Sequence, residues 1–232
     1  NRVDVNWSQA VGEVFNFALE NQVRFRDYTK APRDTVLQDY WEDYFHGEVE
    51  LVLSTGFGLE VQGDVTKRDY KLFTENSLPD YWDWQVVPEV YTKFGSGWRL
   101  GVGVSYGKVT HERLVNRLPV AAFDVISNIP FEDYFEYGPV VTLELFQLNG
   151  LLLNAQHSFL IRRYPNTPTK NVDDFNLYSD RNINSFLLFL TWTVSADVRL
   201  NVLANFDDEN IRKNSNGDSQ NTIVGLEVSY SF

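Results

Sequence analysis

The C-terminal segment of the sequence alternates strictly between large apolar or aromatic side chains and small or polar ones. Residues 224–232 read Val-Gly-Leu-Glu-Val-Ser-Tyr-Ser-Phe. In a β-strand, successive side chains point to opposite faces, so a period of two produces one apolar face and one polar face. A helix would scatter the same residues around its circumference. The segment therefore predicts an amphipathic strand.

The same alternation recurs along the chain and predicts about ten strands. The expected strands cover residues 13–27, 46–55, 58–70, 82–94, 98–111, 134–146, 150–164, 183–195, 197–206 and 220–232. Short turns rich in Gly, Ser, Asn or Asp alternate with long connections. The long connections cover residues 28–45, 71–81, 112–133, 165–182 and 207–219.

The terminal strand resembles the C-terminal signal of bacterial outer-membrane β-barrel proteins, in which a final Phe and apolar residues at alternate positions mark the last strand for assembly. Val228, Tyr230 and Phe232 carry this resemblance. It implies an all-β fold, a transmembrane antiparallel up-and-down β-barrel, in the outer membrane of a Gram-negative bacterium, with the signal peptide removed. It also implies three partners: the barrel assembly machinery, outer-membrane lipid and lipopolysaccharide.

The lengths of the connections agree with that resemblance, since outer-membrane barrels have short periplasmic turns and longer outer loops. We expect residues 1–12 to form a periplasmic N-terminal segment and residues 13–232 to form the barrel. Pairing of the first strand, 13–27, with the signal strand, 220–232, would close the sheet and remove both of its edges.

Composition excludes several classes of function. The chain has no Cys, so disulfides, thiol catalysis and thiolate metal sites are excluded. A net charge of −12 argues against nucleic acid as a partner. No apolar run approaches the roughly 20 residues of a membrane helix. We expect no cofactor and no metal.

A soluble lipocalin-like barrel or β-sandwich is the competing fold, with the apolar face inside. Aromatic residues cluster at strand ends, as in the interfacial girdles of membrane proteins. The strands also exceed the roughly 5–6 residues typical of soluble sheets. Both observations favour the membrane barrel.

In a membrane barrel the polar face lines the lumen and carries charges of both signs. Two interpretations stay open: a packed ion-pair network that fills a narrow barrel, and a thin water-lined path for small solutes. The predicted lumen charges are Glu20, Arg24, Arg26, Glu48, Glu50, Glu60, Asp64, Arg68, Asp83, Glu89, Lys93, Arg99, Glu136, Glu144, Arg162, Arg199 and Glu227.

Enzymatic alternatives have weaker support. An omptin-like surface protease would need an Asp-x-His element, which is absent, although Asp27, Asp69 or Asp83 are candidates to face His111. Lipid A deacylases use His-x-Ser, whereas His157 and Ser158 are adjacent and point to opposite faces. We expect no catalytic residues.

Two of the long connections have unusual compositions. The connection at 112–133 is apolar and is a candidate lid over the barrel mouth; the alternatives are docking on a partner and packing against strand tips. Residues 39–45 combine acids and aromatics, which suits ligand binding or a strand extended above the membrane. The candidate lid residues are Leu118, Val120, Phe123, Val125, Ile126, Ile129 and Phe131.

These features predict an outer-membrane barrel that serves as a narrow channel or a transport or export component. Its outer loops would gate the lumen or bind a protein partner, and the N-terminal segment is a second place for such a partner. The alternatives are a structural or adhesion barrel with a plugged lumen, and an omptin-like surface protease.

Overall fold

The computed structural model forms one antiparallel sheet of eleven strands in chain order. It describes residues 2–11, 14–26, 39–70, 80–112, 133–166, 179–212 and 218–230. The strands are β1 (Arg2–Val11), β2 (Phe15–Arg26), β3 (Tyr40–Ser54), β4 (Phe57–Tyr70), β5 (Tyr81–Phe94), β6 (Trp98–His111), β7 (Tyr134–Leu148), β8 (Leu151–Arg163), β9 (Arg181–Thr193), β10 (Val198–Ile211) and β11 (Ser219–Tyr230).

The prediction of an all-β, up-and-down antiparallel fold is confirmed, because every strand pairs with its neighbours in the sequence. In the ranges that the structure describes, no helix is long and apolar enough to cross a membrane.

The N-terminal segment is the main correction to the expected fold. Arg2–Val11 is a strand that pairs with β2 over its whole length, so the count is eleven rather than about ten. Val3, Val5 and Trp7 alternate with polar residues, as in the other strands. The expectation that residues 1–12 extend away from the sheet as a separate segment is therefore wrong for Arg2–Val11.

The expected closure between residues 13–27 and the signal strand is also wrong. β2 has β1 on one side and β3 on the other, so it offers no edge to β11. Within the described residues, β1 and β11 lie at the two ends of the sheet. Both are odd-numbered strands of an up-and-down sheet and run in the same direction, so a ladder between them would be parallel.

The connections fall on two sides of the sheet. Tight turns join β3 to β4, β5 to β6, β7 to β8 and β9 to β10, and we call this the turn side. Gly56, Gly97 and Gly150 adopt positive φ there, which only glycine does without strain. The longer connections leave the opposite side, which we call the loop side.

Two strands run further toward the loop side than their sequence pattern suggests. β3 begins at Tyr40, so most of the acidic and aromatic segment 39–45 is strand, as one of the two interpretations predicted. β10 continues to Ile211, five residues beyond the predicted end. Alternation is hidden in both places because acidic residues occupy the outer face as well as the inner one.

Apolar side chains cover one face of the sheet and are exposed. In β6, Val102 and Val104 are 56% and 53% exposed, whereas the intervening inner face holds buried Arg99 and Ser105. A soluble sheet would bury the valines and expose the arginine. The arrangement is the inverse, as expected for a wall whose outer face meets lipid.

Aromatic residues mark both boundaries of this apolar outer face. On the turn side, Phe94 and Trp98 stack with ring centroids 6.4 Å apart. On the loop side, Trp41 and Trp82 are exposed on the outer face. Rings of aromatic side chains at two levels are typical of membrane interfaces.

The position of His157 on the outer face is explained by its neighbours. Its Nε2 lies 2.8 Å from the Asn184 Oδ1 on β9. Asn184 pairs in register with Asp208, so the outer face becomes polar toward the loop-side end of β9 and β10. His157 therefore lies at the edge of the polar band and not in the middle of the apolar one.

We predict that Gly138→Ala will impair folding, because a Cβ at residue 138 would overlap the backbone carbonyl of Phe159 on the adjacent strand. Gly225→Ala is the matched control, since its nearest neighbour would be the Leu203 Cβ at 3.8 Å. The measurement is the midpoint of unfolding by urea in detergent micelles, with the folded fraction read from the gel shift between folded and heated protein. Equal midpoints for the two variants would contradict the predicted overlap.

Candidate functional site on the inner wall

The turn-side half of the inner wall is organised around Arg99 of β6. Its Nη2 lies 2.5 Å from the Glu60 Oε2 of β4 and 3.1 Å from the Glu89 Oε1 of β5, and its Nη1 lies 3.0 Å from the Glu144 Oε2 of β7. One guanidinium therefore joins carboxylates from three other strands. The planar fork of arginine suits this arrangement, which a lysine could not reproduce.

A second layer of contacts holds the Arg99 cluster from the side. The guanidinium carbon lies 4.2 Å from the ring centroid of Tyr91, a cation–π distance. Tyr91 is almost fully buried and donates its hydroxyl hydrogen bond to the Glu50 Oε1 over 2.5 Å. Asn16 donates to the other Glu50 oxygen over 2.8 Å, which ties β2 into the cluster.

Further polar side chains satisfy the carboxylates that Arg99 contacts. Thr142 donates to Glu89 over 2.7 Å, and Asn154 donates to Glu144 over 3.1 Å. Carboxylates out of bulk water are costly unless hydrogen-bonded, so these donors stabilise the cluster.

Glycine creates the space for the cluster. A Cβ at Gly101 would overlap the Glu89 carboxylate, and one at Gly58 would overlap the Tyr91 hydroxyl. The space beside Gly101 is filled by Glu89.

The loop-side half of the inner wall pairs arginines with both carboxylates and tyrosines. Arg68 contacts Glu42 through Nε at 2.9 Å and lies over the rings of Tyr40 and Tyr81, at 4.4 and 5.2 Å. Glu42 also forms an ion pair with Arg24, whose Nη1 lies 3.3 Å from the Glu42 Oε1. These residues link β2, β3, β4 and β5.

The combination of an arginine with a carboxylate and a tyrosine ring recurs on other strands of the inner wall. Arg162 contacts Glu136 at 2.8 Å and lies 4.1 Å from the Tyr134 ring centroid. Arg181 contacts Glu209 at 2.8 Å and lies 5.3 Å from the Tyr164 ring centroid. An arginine held by a carboxylate and an aromatic face has a restricted orientation, so these residues form an ordered rim.

The ion pairs of the described inner wall follow the wall itself. Arg24 and Arg68 reach Glu42 on an adjacent strand, and Arg99 reaches no further than the next strand but one. Across the described ranges, the ion pairs of these cations connect neighbours or next neighbours in the sheet. The charges therefore brace neighbouring strands against each other.

The structure places the predicted lumen charges on one face, and it brings only some of them together. The Arg99 cluster gathers Glu50, Glu60, Glu89 and Glu144, whereas Arg26, Arg199 and Glu227 lie exposed. The remaining predicted lumen charges lie on the same face by strand register: Glu20, Arg24, Glu48, Asp64, Arg68, Asp83, Lys93, Glu136 and Arg162.

Sequence reasoning missed a recurrent aspartate at the base of the loops. The Oδ1 of Asp80, just before β5, accepts a hydrogen bond from the Tyr70 backbone N–H over 2.7 Å. Three other aspartates accept the same kind of hydrogen bond from the backbone N–H at or just after the end of the preceding strand. The pairs are Asp133 with His111 at 2.6 Å, Asp180 with Tyr164 at 3.0 Å, and Asp218 with Ile211 at 2.7 Å.

A sequence signal exists for two of these four aspartate clasps, those of Asp80 and Asp133. Asp-Tyr-aromatic occurs at the start of a returning strand at residues 39–41, 80–82 and 133–135, and also inside β3 at residues 43–45. The other two clasps, at Asp180 and Asp218, lack it. The Tyr faces the inner rim and the third residue faces the outer girdle, as strand alternation requires. The intervals are unequal, so a search for a fixed period does not find the motif.

One section of the inner wall is apolar, which the sequence pattern did not indicate. Leu187 and Phe189 of β9 share a face with Asn205 and Leu203 of β10, and Phe189 is 50% exposed. The run Phe-Leu-Leu-Phe-Leu at 186–190 has no alternation, so its inner members could not be recognised.

The residues considered for catalysis have structural partners. The His111 Nδ1 lies 3.0 Å from the Asp133 Oδ1, and the His46 Nδ1 lies 2.9 Å from the Asp64 Oδ1. Asp69 lies on the outer face with Lys67. Among the described residues, no group of three His, Cys, Asp or Glu side chains is arranged to hold a metal ion.

Several predicted residues lie outside the described part of the chain. They are Asp27, Phe232 and the candidate lid residues Leu118, Val120, Phe123, Val125, Ile126, Ile129 and Phe131. Of the assembly signal, Val228 and Tyr230 are described, and both are exposed on the outer face of β11.

We predict that Arg99→Met will destabilise the protein by about 3–5 kcal/mol, because it leaves three carboxylates close together without their shared cation. Arg99→Lys is expected to recover only part of the loss. The measurement is the free energy of unfolding in micelles, with Arg199→Met, which removes an exposed arginine from the same face, as the control. A loss no larger than that of the control would contradict the bracing role.

We predict that Asp80→Ala will lower the free energy of unfolding by about 1.5–3 kcal/mol, because the Tyr70 backbone N–H loses a charged hydrogen-bond acceptor. Asp80→Asn keeps an acceptor oxygen and should cost less. Asp197→Ala, at an exposed turn-side position, is the control. Faster hydrogen exchange confined to the Tyr70 amide region is expected, and unchanged exchange would show that the clasp is dispensable.

No protein-family model matches the chain, and no curated protein matches its sequence. OmpT in its trimer form, an outer membrane protein of Vibrio cholerae, has a similar structure, with 11% identity, a TM-score of 0.52, and coverage of 98% of this chain and 64% of that one. The siderophore receptor PirA from Pseudomonas aeruginosa gives 11% identity, a TM-score of 0.48, and 100% and 38% coverage. LpxR from Salmonella typhimurium gives 9% identity, a TM-score of 0.40, and 100% and 88% coverage.

The chain thus spans well under half of PirA and just under two thirds of the OmpT chain in its trimer form. At these identities the likeness concerns the fold and not the activity. The inverted sheet and the structural likeness together show that the chain has the fold of outer-membrane β-barrel proteins.

Proposed function

We propose that the protein forms a narrow, water-lined path that prefers cations, in the outer membrane of a Gram-negative bacterium. The observation that carries the proposal is the course of the inner-wall ion pairs, which connect adjacent or next-adjacent strands. A network that plugged a lumen would have to reach across it.

The exposure of the inner charges supports a wet interior. The Lys93 and Asp64 side chains are 49% and 39% exposed, although both face inward. A charged side chain that keeps this much contact with solvent avoids most of the desolvation cost of burial. Water in the enclosed space satisfies such groups, whereas a dry, packed lumen does not.

The balance of charge on the inner wall supports a preference for cations. The predicted lumen charges are ten carboxylates and seven cations. Two of the carboxylates, Glu48 and Asp83, face inward and take part in no ion pair within the described ranges. Acidic rings favour cations in pores because they stabilise a partly dehydrated cation electrostatically.

Three observations support the outer membrane as the location. The apolar face points outward between two aromatic levels, the connections alternate between short and long, and the last strand resembles the outer-membrane assembly signal. The OmpT structure with the same fold is also described as an outer membrane protein. In this class the loop side faces the exterior.

Several narrower expectations stay predictions. They are gating by residues 118–131, a protein partner at the outer loops or the N-terminal segment, a role in export, and the absence of enzymatic activity. The competing interpretation, a structural or adhesion barrel, predicts no conductance at all.

We predict a steady single-channel conductance in planar bilayers, with a reversal potential that indicates cation selectivity in a salt gradient. Glu48→Gln with Asp83→Asn should shift the reversal potential toward zero, because the inner wall loses two negative charges. The control is Asp69→Asn, which removes an acid from the outer face. Silence in all three proteins would favour the plugged barrel and contradict the channel.

A further inference from the structure

Two glycines lie side by side on the outer, lipid-facing wall. Gly47 of β3 pairs in register with Gly63 of β4, and Gly63 pairs with Val86 of β5. Their missing side chains leave a groove of about 590 Å³ on the loop-side half of the wall. The side chains around it are almost all apolar: Phe45, Val49, Val61, Val65, Trp84 and Val86.

The protein's own packing does not require these glycines. Neither has a positive φ. A Cβ at Gly47 would lie 3.5 Å from Leu19 and Phe45, and one at Gly63 would lie 3.5 Å from the Gln85 carbonyl oxygen, which are ordinary contacts. Gly58 and Gly101, by contrast, make room for neighbouring side chains. Glycine weakens a strand, so the pair has a cost that internal packing does not explain.

Two lysines, Lys67 and Lys108, lie at the loop-side end of the groove, beside Asp43 and Asp69. Lys67 pairs in register with Trp82, and Lys108 pairs with Trp84, so the two lysines flank the two tryptophans. The Lys67 Nζ lies 5.4 Å from the Trp82 ring centroid and 2.9 Å from an exposed Asp69 oxygen. An exposed pair of this kind contributes little to stability, so an anion can compete for Lys67.

We propose that this groove binds a lipid with an anionic, phosphorylated headgroup. One acyl chain lies over Gly47 and Gly63, and the phosphate contacts Lys67 and Lys108 at the membrane interface. The apolar lining favours the acyl chain of the lipid, and the two lysines favour a negatively charged headgroup. The inference rests on the proposed membrane location and is independent of conductance.

The test uses the fluorescence of Trp82 and Trp84, which border the site. Trp7, Trp41, Trp98 and Trp192 are replaced by Phe, and the protein is placed in phosphatidylcholine vesicles. Brominated phosphatidylglycerol or brominated phosphatidylcholine is then added at equal fractions, since bromine quenches a tryptophan in contact with the acyl chain. We expect severalfold stronger quenching by the anionic lipid at low fractions.

Two sets of variants separate the chain contact from the headgroup contact. Gly63→Leu, or Gly47→Leu if the first folds poorly, fills the groove and should reduce quenching by the anionic lipid to the phosphatidylcholine level. Lys67→Gln with Lys108→Gln should remove the preference for the anionic lipid and leave quenching by both lipids. Val141→Leu, on the outer face of β7, is the control for added apolar bulk and should change nothing.

Four results would overturn the proposal. Equal quenching by the two lipids in the starting protein would remove the headgroup preference. Unchanged quenching in both glycine variants would place the lipid elsewhere. A change of oligomeric state in Gly63→Leu, with no change in quenching, would make the groove a contact between copies. Absence of quenching by either lipid would also overturn the membrane location itself.

Discussion

Hydrogen bonding between neighbouring strands is the constraint from which the rest of this structure follows. Lipid offers no partner to a backbone N–H or C=O, so a membrane wall made of strands must satisfy those groups within the sheet. The chain does this with ten consecutive antiparallel ladders. Once the ladders form, side-chain direction is fixed at a period of two, and every strand presents one face to lipid and one to the interior.

The inner face then determines how the wall resists deformation. Its charges are spaced by the strand register, so cations and carboxylates meet on adjacent strands. Arg99 joins four strands through its contacts with Glu60, Glu89 and Glu144. Two kinds of contact fix the strand ends toward the loop side. Arginines pack on tyrosine rings, and aspartates accept hydrogen bonds from backbone N–H groups. Bracing of this kind stiffens the wall.

The outer face is apolar where the inner face is charged, and the Gly47–Gly63 pair is an exception to its side-chain cover. Most of it is a continuous apolar surface, for which the lipid bilayer is the natural partner. The Gly47–Gly63 pair interrupts that surface, and no side chain of the described residues fills the gap. An uninterrupted wall would be more stable, which is why the gap indicates a ligand from outside the chain.

The sequence alone predicted the fold class and most of the strands, because alternation is a local signal. It does not predict two features. One is the inner-face position of Leu187 and Phe189, because the run at 186–190 does not alternate. The other is the pairing of Arg2–Val11 with β2 as a strand of the sheet. The inner-face position of Arg99 could be predicted. Its partners could not be predicted, because they depend on the register between strands, which local sequence does not encode. Two of the four aspartate clasps, at Asp80 and Asp133, have a sequence signal, Asp-Tyr-aromatic, but the same motif also occurs inside β3, so the bonds to the preceding strand are needed to interpret it.

The most direct test of this account is the accessibility of alternate positions along single strands. The chain has no Cys, so single cysteines can be introduced at Glu48 and Val49 of β3 and at Asn201 and Val202 of β10 without background labelling. A charged, membrane-impermeant thiol reagent is then applied to protein in vesicles. The account predicts labelling at Glu48 and Asn201 and protection at Val49 and Val202. Labelling of the valine positions with protection of their neighbours would contradict the inverted wall, and protection at all four would contradict the water-lined interior.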